Sequence, residues 1–213
     1  MKAAIFDMDG TLVDTLDIHL RAYMNVSKRR NIPMDTDFVK MRFGMTAKEI
    51  FKENAKQRGL EIDADQLAQE KFEEFDRIAK VVPVYPGTVE VLNHFKEKGI
   101  HLALASGSGR QNVDTVLTRS NLGQYFEVTV AGNEAPRGKE FPDLWIRAAE
   151  LLGVLPEECM VFEDAYYGAQ SAKQAGMMVI GVLTGHTSHE ELSPICDFVL
   201  NSLAEFKNVS DKI

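Results

Sequence analysis

The chain has 213 residues, 45% hydrophobic and 26% charged, a composition that excludes disorder and suits one packed core with a smaller appended module. A net charge of -8 repels a phosphate polyanion, which argues against nucleic acid as the main partner while leaving a small anionic ligand possible at a local site. No window of about 18 apolar residues and no basic start followed by an apolar stretch occurs, so no membrane segment is expected and the expected compartment is the cytoplasm.

In chain order, the first predicted element is a strand over Ala3–Phe6 that runs directly into Asp7-Met8-Asp9-Gly10-Thr11. Residues 15–80 then carry helical patterns and no convincing strand. Leu16, Leu20, Tyr23 and Ser27 mark one stripe, and Ala68, Phe72, Phe75 and Ala79 mark another at helical spacing. Thr46-Ala47-Lys48-Glu49 matches a capping box that opens a helix containing Ile50 and Phe51. From Val84 onward strands and helices alternate: helix Thr88–Lys98, strand His101–Ala105, helix Gly109–Ser120, strand Val128–Ala131 and helix Pro142–Leu152. Strand Met160–Phe162, helix Ala165–Ala175 and strands Met177–Leu183 and Phe198–Leu200 complete the series. These strand runs are continuously apolar rather than alternating, as strands covered on both faces are. The expected fold class is therefore α/β, a doubly wound parallel sheet with a small all-helical cap inserted after the first strand. The expected boundaries are 1–14 and 82–213 for the core and 15–81 for the cap. Cys159 and Cys196 lie far apart in the sequence and read as buried, reduced thiols.

The chemistry-bearing residues gather at predicted strand ends, where parallel α/β sheets bind ligands. Asp7 and Asp9 follow the first strand. Two carboxylates about 4 Å apart repel by roughly 4 kcal/mol at a surface-like dielectric, so a cation, a shared proton or both must offset them. Glu163-Asp164 follows another strand; alone the pair reads as a helix cap, but with Asp7 and Asp9 it forms an oxygen-rich set suited to Mg²⁺. Ser106-Gly107-Ser108-Gly109 is a common kind of connector, yet a hydroxyl and free N–H groups before a helix also suit a phosphate oxygen. Lys139 reads by default as a surface lysine; its place just before the Pro142 helix favours charge neutralisation at a phosphoryl group.

Taken together, Asp7-Met8-Asp9-Gly10-Thr11, Ser106, Lys139 and Glu163-Asp164, in that order, resemble the four motifs of the haloacid dehalogenase superfamily, over essentially the whole chain. Within it the sequence is most similar to the helical-cap branch of β-phosphoglucomutase-like proteins and small sugar-phosphate phosphatases. The resemblance implies a Rossmann-like core, Asp7 as nucleophile forming an aspartyl-phosphate, and Asp9 as general acid and then base. It implies Mg²⁺ held by the Asp7 side chain, the Asp9 backbone carbonyl, Glu163 and Asp164. Ser106 and the Gly107 N–H would bind the transferring phosphoryl, with Lys139 beside it. The sequence departs from the pattern at Glu140-Phe141-Pro142, which puts a carboxylate next to Lys139, and at the bulky Tyr166-Tyr167, read as core packing or a rim contact.

The implied function is a Mg²⁺-dependent phosphatase of small phosphorylated, sugar-phosphate-like metabolites, with β-phosphoglucomutase as the alternative. His19 matches a histidine position of the mutase-like proteins, whereas Gly44-Met45-Thr46-Ala47-Lys48 offers alanine and then lysine where mutase relatives carry arginine. Lys48, Arg21 and Arg42 are the substitutes considered for that cation. More remote readings are a phospho-accepting receiver and a non-catalytic binding protein; neither nucleic acid nor membrane is an expected partner, and nothing demands a dimer.

Overall fold

A run such as Ala3-Ala4-Ile5-Phe6, fully buried at every position, needs hydrophobic cover on both faces. The computed structural model, which describes residues 1–43 and 45–210, provides it. Six strands, β1 (Ala3–Phe6), β2 (His101–Ser106), β3 (Val128–Ala131), β4 (Cys159–Glu163), β5 (Met178–Val182) and β6 (Phe198–Leu200), form one parallel sheet ordered β3–β2–β1–β4–β5–β6. Helices α5 (Thr88–Glu97) and α6 (Arg110–Ser120) cover one face, burying Ala4 and Phe6 with Leu92, Phe95, Val113 and Val116. Helices α7 (Asp143–Leu152) and α8 (Tyr166–Gln174) cover the other, burying Ala3 and Ile5 with Trp145, Ala148, Ala169 and Ala172. Across the centre, Phe6 of β1 stacks on Phe162 of β4 with ring centroids 4.5 Å apart.

Between β1 and α5 the chain builds a separate helical layer from α1 (Leu16–Arg29), α2 (Thr36–Lys40), α3 (Ala47–Arg58) and α4 (Ala64–Ile78). Its own core holds Leu20, Tyr23, Val26, Phe51, Leu67 and Ala68. The Thr46 capping box is formed as expected: the Thr46 hydroxyl accepts from the Glu49 N–H, and the Glu49 carboxylate accepts from the Thr46 N–H at 2.8 Å. The chain leaves and re-enters the sheet layer side by side: the Asp14 N–H donates to the Pro83 carbonyl and the Tyr85 N–H to the Leu12 carbonyl, each at 2.9 Å. The short α2 was not expected; Asp35 caps it by accepting from the Phe38 N–H at 2.7 Å. The Gly44 of the quoted cap turn lies outside the described residues. Among the described residues no helix is long and apolar enough to cross a membrane. Cys159 is buried and Cys196 partly buried, and both are free thiols.

Candidate active site

The register of the sheet fixes which residues meet at its carboxyl edge. Phe6 is level with Leu104 of β2 and Phe162 of β4, and the Asp7 N–H donates to the Phe162 carbonyl at 2.9 Å. Asp7 therefore emerges beside Glu163, the last residue of β4. Asp7, Glu163 and Asp164 each offer a carboxylate oxygen within 4.8 Å of the others, and all three side chains are buried. Lys139, carried on the segment before α7, pairs with the Asp7 carboxylate and places its ammonium 2.6 Å from Glu163 Oε2. The Thr11 hydroxyl donates to Asp164 Oδ1 at 2.9 Å, and the Ala165 N–H donates to Glu163 Oε1 at 2.9 Å. Gly10, at φ 93°, and Gly185 pass so close to Asp164 that a Cβ at either would collide with its carboxylate.

Lys139 is aimed from behind. Its carbonyl accepts from the Ser171 hydroxyl of α8 at 2.7 Å, and that hydroxyl accepts from Trp145 Nε1 of α7 at 2.9 Å. Glu140, by contrast, is exposed, and Lys139 bonds to Asp7 and Glu163 instead.

Three buried carboxylates facing one ammonium leave an excess of negative charge. Burial, then the neighbouring acids, pushes Asp164 well above the ordinary carboxyl range. Burial and the Asp7 charge, against Lys139, push Glu163 up to about 7. Burial likewise raises Asp7, opposed by the Lys139 charge. Burial disfavours the Lys139 cation, but the charges of Asp7 and Glu163 win and raise its pKa. A divalent cation would relieve this excess, and an all-oxygen carboxylate set suits a hard one.

Asp9 turns away from that cluster. It accepts from the Thr15 hydroxyl at 2.5 Å and the Ser108 hydroxyl at 2.8 Å, with the Ser106 hydroxyl at 3.5 Å. His19 Nε2 lies 3.1 Å from Asp9 Oδ1, and Lys71 Nζ of α4 lies 2.7 Å from His19 Nδ1. When Lys71 is protonated its ammonium can only donate to Nδ1, which leaves Nε2 to carry the ring proton and donate to Asp9. Burial opposes ionisation of Asp9, yet the His19 interaction and the Thr15 and Ser108 hydroxyls outweigh it and hold its carboxyl far below the usual range. Burial, then the Lys71 charge, lowers His19 despite Asp9. Burial lowers Lys71 to about 7, partly offset by Asp9.

Both groups open into a cavity of about 730 Å³ between the sheet edge and the helical layer. The residues expected from sequence, Asp7, Asp9, His19, Lys48, Ser106, Gly107, Lys139, Glu163 and Asp164, all line it. They divide unevenly. The Asp9 carboxylate stands outside the three-carboxylate cluster, so its expected share in metal binding rests on its backbone carbonyl. Lys48 reaches the cavity wall with its ammonium 2.6 Å from Asp65. Core packing of Tyr166-Tyr167 is corrected: Tyr166 and Tyr167 are 36% and 57% exposed and stack edge-to-face on each other. Sequence reasoning missed Thr15, Ser108 and Lys71. Lys71 had a signal, since it falls on the helical face marked by Ala68, Phe72 and Phe75, where a surface lysine does not belong.

The fold is thus a parallel α/β sheet with a helical layer inserted after its first strand, with buried acids and a lysine at its carboxyl edge. The chain belongs to the haloacid dehalogenase-like hydrolase family, whose pattern matches residues 4–182. It is 32% identical to the phosphorylated carbohydrates phosphatase of Thermotoga maritima, over 83% of this chain and 82% of that protein. It is 31% identical to the β-phosphoglucomutase of Bacillus subtilis, over 87% of this chain and 84% of that protein. A hydrolase from Pseudomonas syringae shares the fold with a TM-score of 0.90 at 24% identity, covering 100% of this chain and 99% of that one.

Proposed function

We propose that the chain is a Mg²⁺-dependent phosphatase of small, sugar-like phosphate monoesters that works through an aspartyl-phosphate on Asp7. The observation that carries this is the division of labour between two neighbouring aspartates. Asp7 sits among Lys139, Glu163 and Asp164, while Asp9 is held apart by Thr15, Ser108 and His19. A carboxylate attacking a phosphate dianion needs positive charge around it; its partner, which moves protons, needs a separate network. The relatives named as a carbohydrate-phosphate phosphatase and a β-phosphoglucomutase support the same substrate class.

In this reading Asp7, Glu163, Asp164 and the Asp9 carbonyl would hold Mg²⁺, which when bound would offset charge on the transferring phosphoryl. Lys139 neutralises Asp7 and the incoming phosphate, and Ser106 with the Gly107 N–H orients the phosphoryl oxygens. An Asp7 oxygen bonds to phosphorus as the ester P–O bond breaks, and the leaving alkoxide takes a proton from Asp9. Asp9 then removes a proton from water, which attacks phosphorus and frees phosphate and Asp7. Water's proton thus restores Asp9 in each cycle; for the first one, an approaching dianion raises the pKa of the ionised Asp9, and His19 Nε2, with the Lys71 ammonium behind its Nδ1, stands within hydrogen-bond reach to supply the proton. Residues 15–81 act as the cap over a core of 1–14 and 82–213.

The test is hydrolysis of p-nitrophenyl phosphate with and without Mg²⁺. Activity should require the ion and fall at least about 10³-fold in Asp7→Asn; undiminished turnover in that variant rejects the nucleophile. The second reading, a β-phosphoglucomutase, is favoured by the buried His19–Lys71 pair of the helical layer, which covers one side of Asp9. It predicts conversion of β-glucose 1-phosphate into glucose 6-phosphate with a bisphosphate primer, and release of phosphate without isomer rejects it.

A further inference from the structure

Of the lysines and arginines that line the cavity from its cap and rim, Lys40, Lys48 and Arg110 carry carboxylates of the same chain, and Lys71 faces His19. Lys48, in the first turn of α3, lies 2.6 Å from Asp65, in the first turn of α4, and both side chains line the cavity. Arg110, at the rim, meets Glu134 at 2.6 Å and Asp114 at 3.2 Å. Lys40 has Asp37 at 3.7 Å. The N-terminus of α3, which also faces this space, is closed by the Glu49 carboxylate in the capping box. Lys71 is buried against His19. Much of the remaining cap wall is apolar: Tyr23, Phe43, Met45, Ile50 and Phe72.

We infer that Asp65 is a specificity-determining residue: by cancelling Lys48 on the cap wall, it restricts the cavity to phosphate esters whose far end is uncharged and turns away bisphosphates. This deepens the proposed phosphatase reading and rests on its phosphoryl site at Asp7. The physical cause is a like-charge penalty. An anion seated on Lys48 would stand beside the Asp65 carboxylate, and placing like charges together at a binding surface selects against that ligand. As a stabilising contact the pair counts for little, because Asp65 is 74% and Lys48 43% exposed. Its charge therefore bears on selection more than on stability. The other cavity cations are likewise engaged: Arg110 is held on two sides, Lys71 is spent on His19, and Lys40 pairs with Asp37.

The experiment measures binding of glucose 6-phosphate and glucose 1,6-bisphosphate by calorimetry in Mg²⁺ buffer, in chains carrying Asp7→Asn so that turnover does not intervene. Adding Asp65→Asn should shift the affinity ratio about tenfold toward the bisphosphate, equivalent to about 1.4 kcal/mol. Adding Lys48→Gln instead should shift it the other way. Circular dichroism verifies that each variant is folded. A ratio unchanged by Asp65→Asn overturns the inference, and leaves the phosphatase reading intact if the unsubstituted chain hydrolyses p-nitrophenyl phosphate. Failure of the folded Asp7→Asn chain to bind either ester overturns the inference, and overturns the phosphatase reading with it only if the unsubstituted chain also fails to hydrolyse p-nitrophenyl phosphate.

Discussion

Lys71 shows most directly what burying one charged side chain costs the fold. It is only 3% exposed, donates to His19 and lies 5.1–5.3 Å from the rings of Tyr23, Phe72 and Phe75. These contacts do not replace the lost hydration of an ammonium, and burial pulls its pKa from 10.5 to about 7. Between those two values the unfolded chain binds a proton that the folded chain releases, so the lysine's contribution to stability improves as pH rises from about 7 to 10.5. At pH 7 and below its full penalty is present. Lys71→Met, which keeps the volume, should therefore stabilise the protein by about 1–3 kcal/mol at pH 7, with the gain shrinking toward pH 10. Thermal unfolding at the two pH values measures this. The same variant should lose activity on phosphate monoesters, because His19 would lose the donor that holds its Nε2 proton toward Asp9; a variant that gains stability and keeps full activity would remove Lys71 from the mechanism.

At the scale of elements, α7 and α8 hold Lys139 through one hydroxyl. Ser171 of α8 accepts from Trp145 of α7 and donates to the Lys139 carbonyl. Ser171→Ala leaves a buried indole N–H and a buried carbonyl unpaired, so it should cost about 1–3 kcal/mol. A displaced Lys139 should also lower kcat about tenfold or more. Trp145 is the chain's one tryptophan, so a change in its fluorescence reports directly on this joint; an unaltered spectrum with unaltered kcat would show that Lys139 is positioned by other means. The elements themselves were legible where burial imposes a pattern. Runs such as Ala3–Phe6 and Cys159–Phe162 must be apolar throughout because helices cover both faces, and Thr46 with Glu49 marks the start of α3 by local chemistry alone. Helix α2 escaped notice because five residues are too few for a 3.6-residue period to declare itself. The site residues divide the same way. Asp7, Ser106 and Glu163 sit at strand ends, which sequence can locate, whereas the Lys48–Asp65 pair and the Ser108–Asp9 bond depend on how separate segments pack.

For the whole molecule, the central strands converge on a problem that none solves alone. β1 delivers Asp7, β4 delivers Glu163 and the residue after it, and packing their hydrophobic faces brings these carboxylates together in a buried space. Folding thus works against mutual repulsion at the carboxyl edge of the central strands, and Lys139 cancels only part of it. A cation that binds the folded arrangement and not the unfolded chain must therefore stabilise the entire protein, by about 2.7 kcal/mol at a hundred times its dissociation constant. For a chain of this length that corresponds to a rise in Tm of about 5–10 °C on adding Mg²⁺, reversed by chelation. Asp164→Asn should give the opposite pattern: removing one of the repelling charges raises the chelated protein's Tm, while most of the Mg²⁺-dependent rise is lost. Scanning calorimetry of both proteins, each with Mg²⁺ and with chelator, reads the four values needed. If the unsubstituted chain shows no Mg²⁺-dependent shift, Asp7, Glu163 and Asp164 are balanced by protons rather than by a metal, and the proposed chemistry loses its cation.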